Sequence, residues 1–134
     1  MNEEGASVAT YLSNSADLHP DLPALVSGAD SPAFPTLSFC ELDQSVDRAA
    51  NELLAAGISQ GKKTLLFVKP GPSLIIWGFA LFRVGAIPVI IDPGMGLSSF
   101  LSCIKRTKPE AMVGISRAFW VSRFFPGSFR SVRH

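Results

Sequence analysis

The stretch TLLFVKPGPSLIIWGFALFRVGAIPVII, residues 64–91, decides the fold of this 134-residue chain. Its opening run, Thr64 to Val68, is short, continuous and apolar, which is typical of a strand buried on both faces of a parallel sheet. After a break rich in proline and glycine, Leu74 to Val84 predict a helix with Ser73 as its N-cap. Ile87 to Ile91 then predict a second strand. The stretch therefore predicts a strand–helix–strand unit.

Part of this stretch is also a candidate membrane span. Leu74 to Ile91 is eighteen residues long and contains one charge, which satisfies the simplest length criterion for a transmembrane helix. That charge, Arg83, lies near the centre, where its insertion costs about 2.5–3.5 kcal/mol. Gly85 and Pro88 divide the segment where its period changes from helical to strand-like. We therefore favour a helix, a turn and a strand of a buried core, and we expect no transmembrane segment.

A helix with clear signals at both ends precedes this unit. Ser38 and Glu41 form a capping box, in which each side chain can bind the other residue's free backbone N–H. Its predicted apolar face contains Phe39, Leu42, Val46, Ala49, Ala50 and Leu53. Its polar face, which we interpret as solvated, contains Asp43, Asp47, Arg48 and Glu52. Gly57 suits the left-handed residue that ends a helix, with Ile58 folding back on it.

A further helix and strand follow the unit. Ser98 or Ser99 is expected to cap the helix, and Ala111 to Ile115 predict a third strand. A fourth helix from Arg117 to Phe125 and the start of a strand over Ser128 to His134 are also predicted. Strands that alternate with helices in this way indicate βαβ units with right-handed crossovers. The predicted fold class is therefore α/β, the start of a multilayer parallel-sheet fold.

Composition divides the chain into two regions. Residues 1–35 are rich in Ser, Ala, Asp and Pro, show little periodicity, and are expected to form a partly irregular N-terminal extension. Residues 36–134 are expected to form a partial, truncated subdomain, because the last predicted strand has no completed unit around it. Charged residues make up 17% of the chain, below the usual value of about 25%. So low a charge indicates a surface that is covered by more of the same protein, by an oligomer partner or by a membrane.

Charge and cysteine content argue against several classes of protein. The net charge is +1, but Met1 to Ile104 contain five Lys or Arg and ten Asp or Glu, whereas Lys105 to His134 contain seven and one. The basic residues of the C-terminal part are spread out, so we expect no nucleic-acid partner. Cys40 and Cys103 lie far apart without ligand-spaced partners, which argues against a zinc site and against a disulfide framework. The acidic first residues do not resemble an export signal, and we expect a cytoplasmic protein.

One glycine pair has the context of a phosphate-binding loop. Gly94 and Gly96 follow a predicted strand and precede a helix, as in a dinucleotide-binding motif. However, Ser99 occupies the position of the third glycine, Asp92 would place a carboxylate beside the pyrophosphate, and Glu110 comes too early to bind a ribose. We interpret the pair as a strand-to-helix turn.

No constellation of residues predicts catalysis. His19 and His134 lie in terminal regions and have no acidic or thiol partner for a catalytic triad or a metal pair. We therefore expect no catalytic, cofactor-binding or metal-binding residue within the chain.

Four segments occur in an order and at a spacing that match one enzyme family. They are Pro23-Ala24-Leu25, LSFCEL at 37–42, AANELLAAGISQG at 49–61 and FALFRVGAIPVIIDP at 79–93. The second is similar to the family's Leu-Thr-Tyr-x-Glu-Leu, and the fourth to its Ala-x-x-x-x-Gly-Ala-x-x-x-Pro-[Leu/Ile]-x-Pro. Over about residues 20–130 the chain resembles the N-terminal part of the adenylate-forming superfamily, the AMP-dependent synthetases and ligases.

Two shorter segments resemble one branch of that superfamily. Val68-Lys69-Pro70 and IDPGMG at 91–96 are similar to bacterial ligases for long-chain fatty or β-hydroxy acids, with the olefin-pathway β-lactone synthetases as the best match. Lys62 departs from the wider family, which commonly has Asp at that position.

The resemblance implies a two-step reaction of an intact enzyme with ATP and Mg²⁺. A carboxylate attacks the α-phosphate to give an acyl-adenylate and pyrophosphate, and then CoA or the substrate's own hydroxyl takes the acyl group. The family's Ser/Thr/Gly-rich phosphate loop with its lysine, its aromatic-Gly-x-Thr-Glu segment, its ribose-binding aspartate and its C-terminal lysine are not found here. The resemblance thus implies an N-terminal fragment that binds no cofactor, is inactive alone and needs the missing remainder of the enzyme.

Two other hypotheses remain open at the level of sequence. The low charge would also suit a complete small α/β interaction or membrane-docking domain without catalysis. A nucleotide-binding domain that uses the turn at Gly94 is the third hypothesis.

Overall fold

The computed structural model of the chain describes residues 7–28, 34–92 and 94–114. The elements, in chain order, are α1 (Val8–Leu18), β1 (Pro23–Leu25), β2 (Leu37–Ser38), α2 (Phe39–Ala55), β3 (Lys63–Phe67), α3 (Pro72–Arg83), β4 (Ile87–Ile90), α4 (Leu97–Thr107) and β5 (Ala111–Gly114). From β3 onward, strands and helices alternate as the sequence predicts.

Three parallel strands form the main sheet, in the order β4-β3-β5. Leu65 of β3 is in register with Val89 of β4 and with Met112 of β5, so β3 is the central strand. The chain passes from β3 through α3 to β4, and then back over β3 through α4 to β5. Right-handed crossovers in opposite directions place α3 and α4 on opposite faces. The parallel pairing confirms the predicted α/β class.

Leu65 and Leu66 show why β3 has an unbroken apolar sequence. Successive side chains of a strand point to opposite faces, and both leucines are fully buried. Leu66 belongs to a cluster with side chains of α1, α2 and α3, whereas Leu65 packs with Phe100 and Ile104 of α4. Burying each leucine stabilises the fold by about 1.5–3 kcal/mol. The continuous run follows from a sheet that is covered on both faces.

The α2 helix begins and ends where its sequence predicts. Ser38 Oγ accepts a hydrogen bond from Glu41 N at 3.2 Å, and Glu41 Oε2 accepts one from Ser38 N at 2.9 Å. Gly57 has a φ of 80°, and Ile58 N donates to Leu53 O at 2.8 Å, which closes the helix with a left-handed residue. The buried side chains of its apolar face are Leu42, Val46, Ala49, Ala50 and Leu53.

The predicted start of α3 is wrong. The helix begins at Pro72, with Gly71 as its N-cap, and Ser73 lies within its first turn. Proline suits the first helical position because its φ is already fixed and its missing N–H would have had no partner there.

The predicted cap of α4 is also wrong. The helix begins at Leu97, and its N-cap is Gly96, which has no side chain to accept a hydrogen bond from the first turn. Both Ser98 and Ser99 are exposed residues of the helix itself.

The α1 helix is an element that the sequence analysis misses. Ser7 Oγ accepts a hydrogen bond from Ala9 N at 3.3 Å at its start, and Ala9, Leu12 and Ala16 are its buried residues. The helix packs against α2 and α3, and the chain then forms β1, which pairs antiparallel with β2. Residues 1–35 show little periodicity although they contain α1, because two of the three buried side chains of this helix are alanines, which give a weak apolar signal.

The candidate membrane span is resolved as a helix, a turn and a strand. α3 ends at Arg83, one residue before the predicted end at Val84, and β4 begins at Ile87 as predicted. Among the described residues, no helix has both the length and the apolar character needed to cross a bilayer. The predicted fourth helix at Arg117 to Phe125 and the strand at Ser128 to His134 lie outside the described residues.

Candidate functional site

The strand order reverses at β3, and this position is where open α/β sheets bind ligands. The chain leaves β3 toward β4 on one side and later returns to β5 on the other side. In such sheets the ligand crevice lies outside the carboxyl ends of the strands at the reversal. Phe67 ends β3 there, Gly114 ends β5, and Lys69 is the exposed charged residue of the loop that follows β3. This edge is the candidate site by topology.

The turn after β4 is held by its own carboxylate. Asp92 Oδ1 accepts a hydrogen bond from Gly94 N at 2.8 Å, and Met95 N donates to Asp92 O at 3.1 Å. A side chain that occupies its own turn in this way is typical of a local Asx turn. The geometry therefore supports our interpretation of Gly94 and Gly96 as a strand-to-helix turn.

Glu110 lies at the opposite end of the sheet from this turn. Its backbone N donates to Lys63 O at 2.7 Å, at the amino ends of β3 and β5. Gly94 follows the carboxyl end of β4. A ribose-binding carboxylate would have to share the carboxyl edge with the phosphate loop. This separation argues against a dinucleotide site.

Arg83 joins the first three helices through a polar cluster. Its Nη2 donates to Asp43 Oδ1 at 2.7 Å and to Ser13 Oγ at 2.8 Å, and its Nη1 donates to Asp47 Oδ1 at 2.6 Å. Ser13 Oγ donates to Asp43 Oδ1 at 3.0 Å. The side chains of Arg83 and Asp43 are 18% and 20% exposed, whereas that of Asp47 is 61% exposed. The interpretation of Asp43 as a solvated residue is wrong, and the cluster is structural because its polar atoms bind one another.

A sequence signal for this cluster existed. Arg83 is the single charge of an otherwise apolar helix, and a partly buried charge needs a partner. Asp43 and Asp47 are four residues apart, which places them side by side on α2. Neither pattern shows that α3 packs against α2, so the ion pair between Arg83 and Asp43 could be identified only from the folded structure.

The remaining chemically reactive side chains stay apart. His19 is exposed at the C-cap of α1, and His134 lies outside the described residues. Cys40 and Cys103 are both half-buried free thiols, and Gln44 Nε2 lies 3.3 Å from Cys40 Sγ. In the part of the chain that the structure describes, no three His, Cys, Asp or Glu residues come together as metal ligands.

An apolar cavity of about 350 Å³ lies between α1, β1, α2 and α3. Its lining residues are Val8, Tyr11, Leu12, Ser15, Ala24, Leu25, Phe39, Leu42, Ile75 and Phe79. Ser15 Oγ already donates to Tyr11 O at 2.8 Å, so the lining offers little polar recognition. The cavity has the chemistry of an incompletely covered core and no group that could activate a substrate.

Comparison with known protein families shows which family this chain belongs to. The family model described as AMP-binding enzyme matches residues 12–125, which reach from α1 to beyond β5. The chain belongs to the AMP-binding enzyme family. The resemblance found in the sequence is thereby confirmed.

Members of the AMP-binding family with curated names are much longer than this chain. An olefin beta-lactone synthetase of Stenotrophomonas maltophilia is 37% identical over 100 residues, which are 72% of this chain and 18% of that protein. A salicyl-AMP ligase / salicyl-S-ArCP synthetase of Mycobacterium tuberculosis is 42% identical over 90 residues, which are 67% of this chain and 16% of that protein. The chain therefore spans less than a fifth of the length of these relatives.

A solved structure shows the same fold. A Mycobacterium tuberculosis fatty acyl CoA synthetase superposes with a TM-score of 0.81 at 16% sequence identity, covering 94% of this chain and 25% of that one. At this identity the likeness concerns the fold alone. It places β4-β3-β5 and their helices within an adenylate-forming architecture.

Proposed function

We propose that this chain supplies the opening strand–helix layers of an AMP-forming acyl ligase. The observation that carries the proposal is the family match over residues 12–125, which includes the whole doubly covered sheet β4-β3-β5. The alternative of a self-sufficient interaction or membrane-docking domain without catalysis is not favoured, because it gives no reason for the match to the AMP-binding enzyme family over residues 12–125.

The reaction of the larger protein would be carboxylate activation. A long-chain fatty or β-hydroxy acid attacks the α-phosphate of ATP with the help of Mg²⁺, which gives an acyl-adenylate and pyrophosphate. The CoA thiol or the β-hydroxyl of the substrate then attacks the acyl carbonyl and loses its proton; the bond from the acyl carbon to the AMP oxygen breaks, AMP leaves, and the product is a thioester or a β-lactone. The similarity to the Stenotrophomonas maltophilia protein supports the β-lactone branch.

In the proposed reaction this chain contributes part of the folded scaffold of the ligase and no reacting group. We propose that it carries no catalytic, cofactor-binding or metal-binding residue, and that the remainder of the ligase supplies the hydrogen-bond donors and cation that stabilise the transferring phosphate. The boundary between an extension at 1–35 and a partial subdomain at 36–134 stays a prediction, as does a cytoplasmic location.

A chimeric enzyme tests the proposal. The 100-residue segment of the Stenotrophomonas maltophilia relative that aligns with this chain is replaced by the corresponding residues of this chain, and pyrophosphate release is measured with ATP, Mg²⁺ and β-hydroxy fatty acids. We expect release above that of the same chimera carrying Leu65→Asp, which buries a charge in the sheet core. A soluble, folded chimera that releases no more pyrophosphate than this control contradicts the proposal.

The isolated chain tests the claim of inactivity. We expect no acid-dependent exchange of pyrophosphate into ATP from the 134-residue chain alone. Exchange that depends on a fatty acid and survives repurification would show that the chain contains catalytic groups.

A further inference from the structure

The amino edge of the main sheet collects most of the positive charge of the described residues. The edge is formed by the starts of β3, β4 and β5 and by the last turns of α2, α3 and α4. Of the eight Lys and Arg in the described ranges, five lie there, namely Lys62, Lys63, Lys105, Arg106 and Lys108. Of the eight Asp and Glu in those ranges, Glu52 and Glu110 lie there. This edge has a charge of +3, and the rest of the described residues have −3.

Backbone hydrogen bonds hold these segments together as one surface. Ile87 N donates to Lys62 O at 2.9 Å, and Glu110 N donates to Lys63 O at 2.7 Å. Lys108 N donates to Ile104 O at 2.9 Å and ends α4 two residues before Glu110, so the chain passes directly from the last turn of α4 to this edge. Neighbouring strands lie about 4.8 Å apart, so three strands span roughly 10 Å, which is about one Debye length at 0.1 M salt. The starts of the three strands therefore lie close enough together to face one charged partner, and the cations at the end of α4 adjoin the start of β5.

Four of the five cations are available to a partner. Lys62 Nζ donates to Gly57 O at 2.7 Å at the end of α2. The side chains of Lys63, Lys105, Arg106 and Lys108 are exposed, and none forms a salt bridge with an acidic residue of the described ranges. Unpaired exposed cations attract an anionic surface.

Apolar side chains are exposed at the same edge. Leu54, Phe82 and Ile87 are 52%, 40% and 48% exposed, and they lie in the last turn of α2, near the end of α3 and at the start of β4. We name these three residues, together with Lys63, Lys105, Arg106 and Lys108, the basic edge. A surface that combines cations with exposed apolar groups matches the interface of an anionic bilayer, where the cations contact the headgroups and the apolar groups enter the acyl region.

We propose that the basic edge docks the protein on membranes that contain anionic phospholipids. Charge complementarity selects the anionic headgroups, and two aliphatic side chains, Leu54 and Ile87, have no counterpart on a phosphodiester backbone. Docking is peripheral, since the edge spans loops and element ends and not a membrane-length helix. The inference is separate from the proposed ligase activity, which resides elsewhere in the larger protein.

Vesicle sedimentation of the 134-residue chain tests the proposal. We expect binding to vesicles of phosphatidylcholine mixed with phosphatidylglycerol, little binding to phosphatidylcholine alone, and weaker binding in high salt. The variant Lys108→Gln should lower the partition coefficient about fivefold, and the triple variant Lys63→Gln/Lys105→Gln/Lys108→Gln roughly 100-fold. Leu54→Ser with Ile87→Thr should lower it about tenfold without changing its salt dependence.

A matched control variant distinguishes binding through the basic edge from binding that depends only on the net charge of the chain. Lys69→Gln removes the same charge from the opposite, carboxyl edge of the sheet and should leave the partition coefficient within twofold of the parent. The proposal is wrong if phosphatidylglycerol vesicles do not bind the chain, or if Lys69→Gln weakens binding as much as Lys108→Gln. It is also wrong if a single-stranded RNA oligonucleotide binds more tightly than the vesicles and is insensitive to the Leu54 and Ile87 substitutions. Thermal melts of each variant verify that the fold is unchanged.

Discussion

Arg83 Nη2 lies 2.7 Å from Asp43 Oδ1, and this ion pair fastens α3 to α2 while Ser13 of α1 binds both partners. Asp47, four residues along α2, binds the same guanidinium at 2.6 Å but is 61% exposed, against 20% for Asp43. The two carboxylates therefore share one partner in two different solvent environments.

Substitution of these carboxylates should have unequal effects on stability. Asp43→Ala should lower the free energy of unfolding by about 1–3 kcal/mol, because it removes the partly buried carboxylate that accepts hydrogen bonds from both Arg83 and Ser13. Asp47→Ala should cost about 0–1 kcal/mol, as is usual for exposed ion pairs. Urea unfolding followed by circular dichroism measures both. An equal or larger loss for Asp47→Ala would show that the cluster is not organised around Asp43.

The capping box predicts a local effect at the start of α2. Ser38→Ala removes the acceptor for Glu41 N and should destabilise the protein by about 1 kcal/mol. Glu41→Gln keeps an acceptor for Ser38 N and should change stability by less than about 0.5 kcal/mol. If both variants unfold at the same urea concentration as the parent, the cap contributes nothing measurable.

Two glycines of neighbouring elements should respond to alanine in opposite directions. Gly78 lies inside α3, and an added Cβ would meet only Leu66 Cδ2, at 4.0 Å, so Gly78→Ala should stabilise by about 0.5–1 kcal/mol. Gly85 has a φ of 73°, and an added Cβ would lie 3.2 Å from Gln60 Cγ. Gly85→Ala should therefore destabilise by about 1–2 kcal/mol or more. Thermal melts of the two variants should shift to opposite sides of the parent, and a common direction would contradict the assigned backbone conformations.

The two faces of β3 should be equally intolerant of small side chains. Leu65→Ala and Leu66→Ala should each cost about 2–5 kcal/mol, because each opens a cavity in a different cluster. Ile90→Ala is the control, since Ile90 is 59% exposed on β4 and should change stability by about 0.5 kcal/mol or less. If one leucine proves as tolerant as Ile90, one face of the sheet is not covered as described.

The elements that the sequence predicts well are those whose signals are local. The bounds of α2 follow from Ser38, Glu41 and Gly57, which act within one turn of each helix end. The central position of β3 follows from its unbroken apolar run. By contrast, α1 depends on Ser13 meeting Asp43 and Arg83, which are 30 and 70 residues away. No local pattern encodes such a contact.

The starts of α3 and α4 show a second limit of prediction. Ser73, Ser98 and Ser99 were reasonable caps by residue type, but Gly71 and Gly96 occupy the N-cap positions. At the carboxyl edge the residue types of Gly94 and Gly96 also suit a phosphate-binding loop. Only the hydrogen bond from Gly94 N to Asp92 Oδ1 identifies this segment as a simple turn. The basic edge could not be predicted from the sequence, because its cations come from β3 and from the end of α4, which only the folded sheet brings together.

The distance along the chain between Ser13 and Arg83 has a consequence for synthesis on the ribosome. The 70 residues between them take about 4–14 s to translate at 5–20 residues per second. During that interval the first helix has emerged, whereas the guanidinium that anchors it has not. Until α3 emerges, nascent α1 can pack only against α2, so the part of its apolar face that contacts α3 stays open to water and accessible to a chaperone.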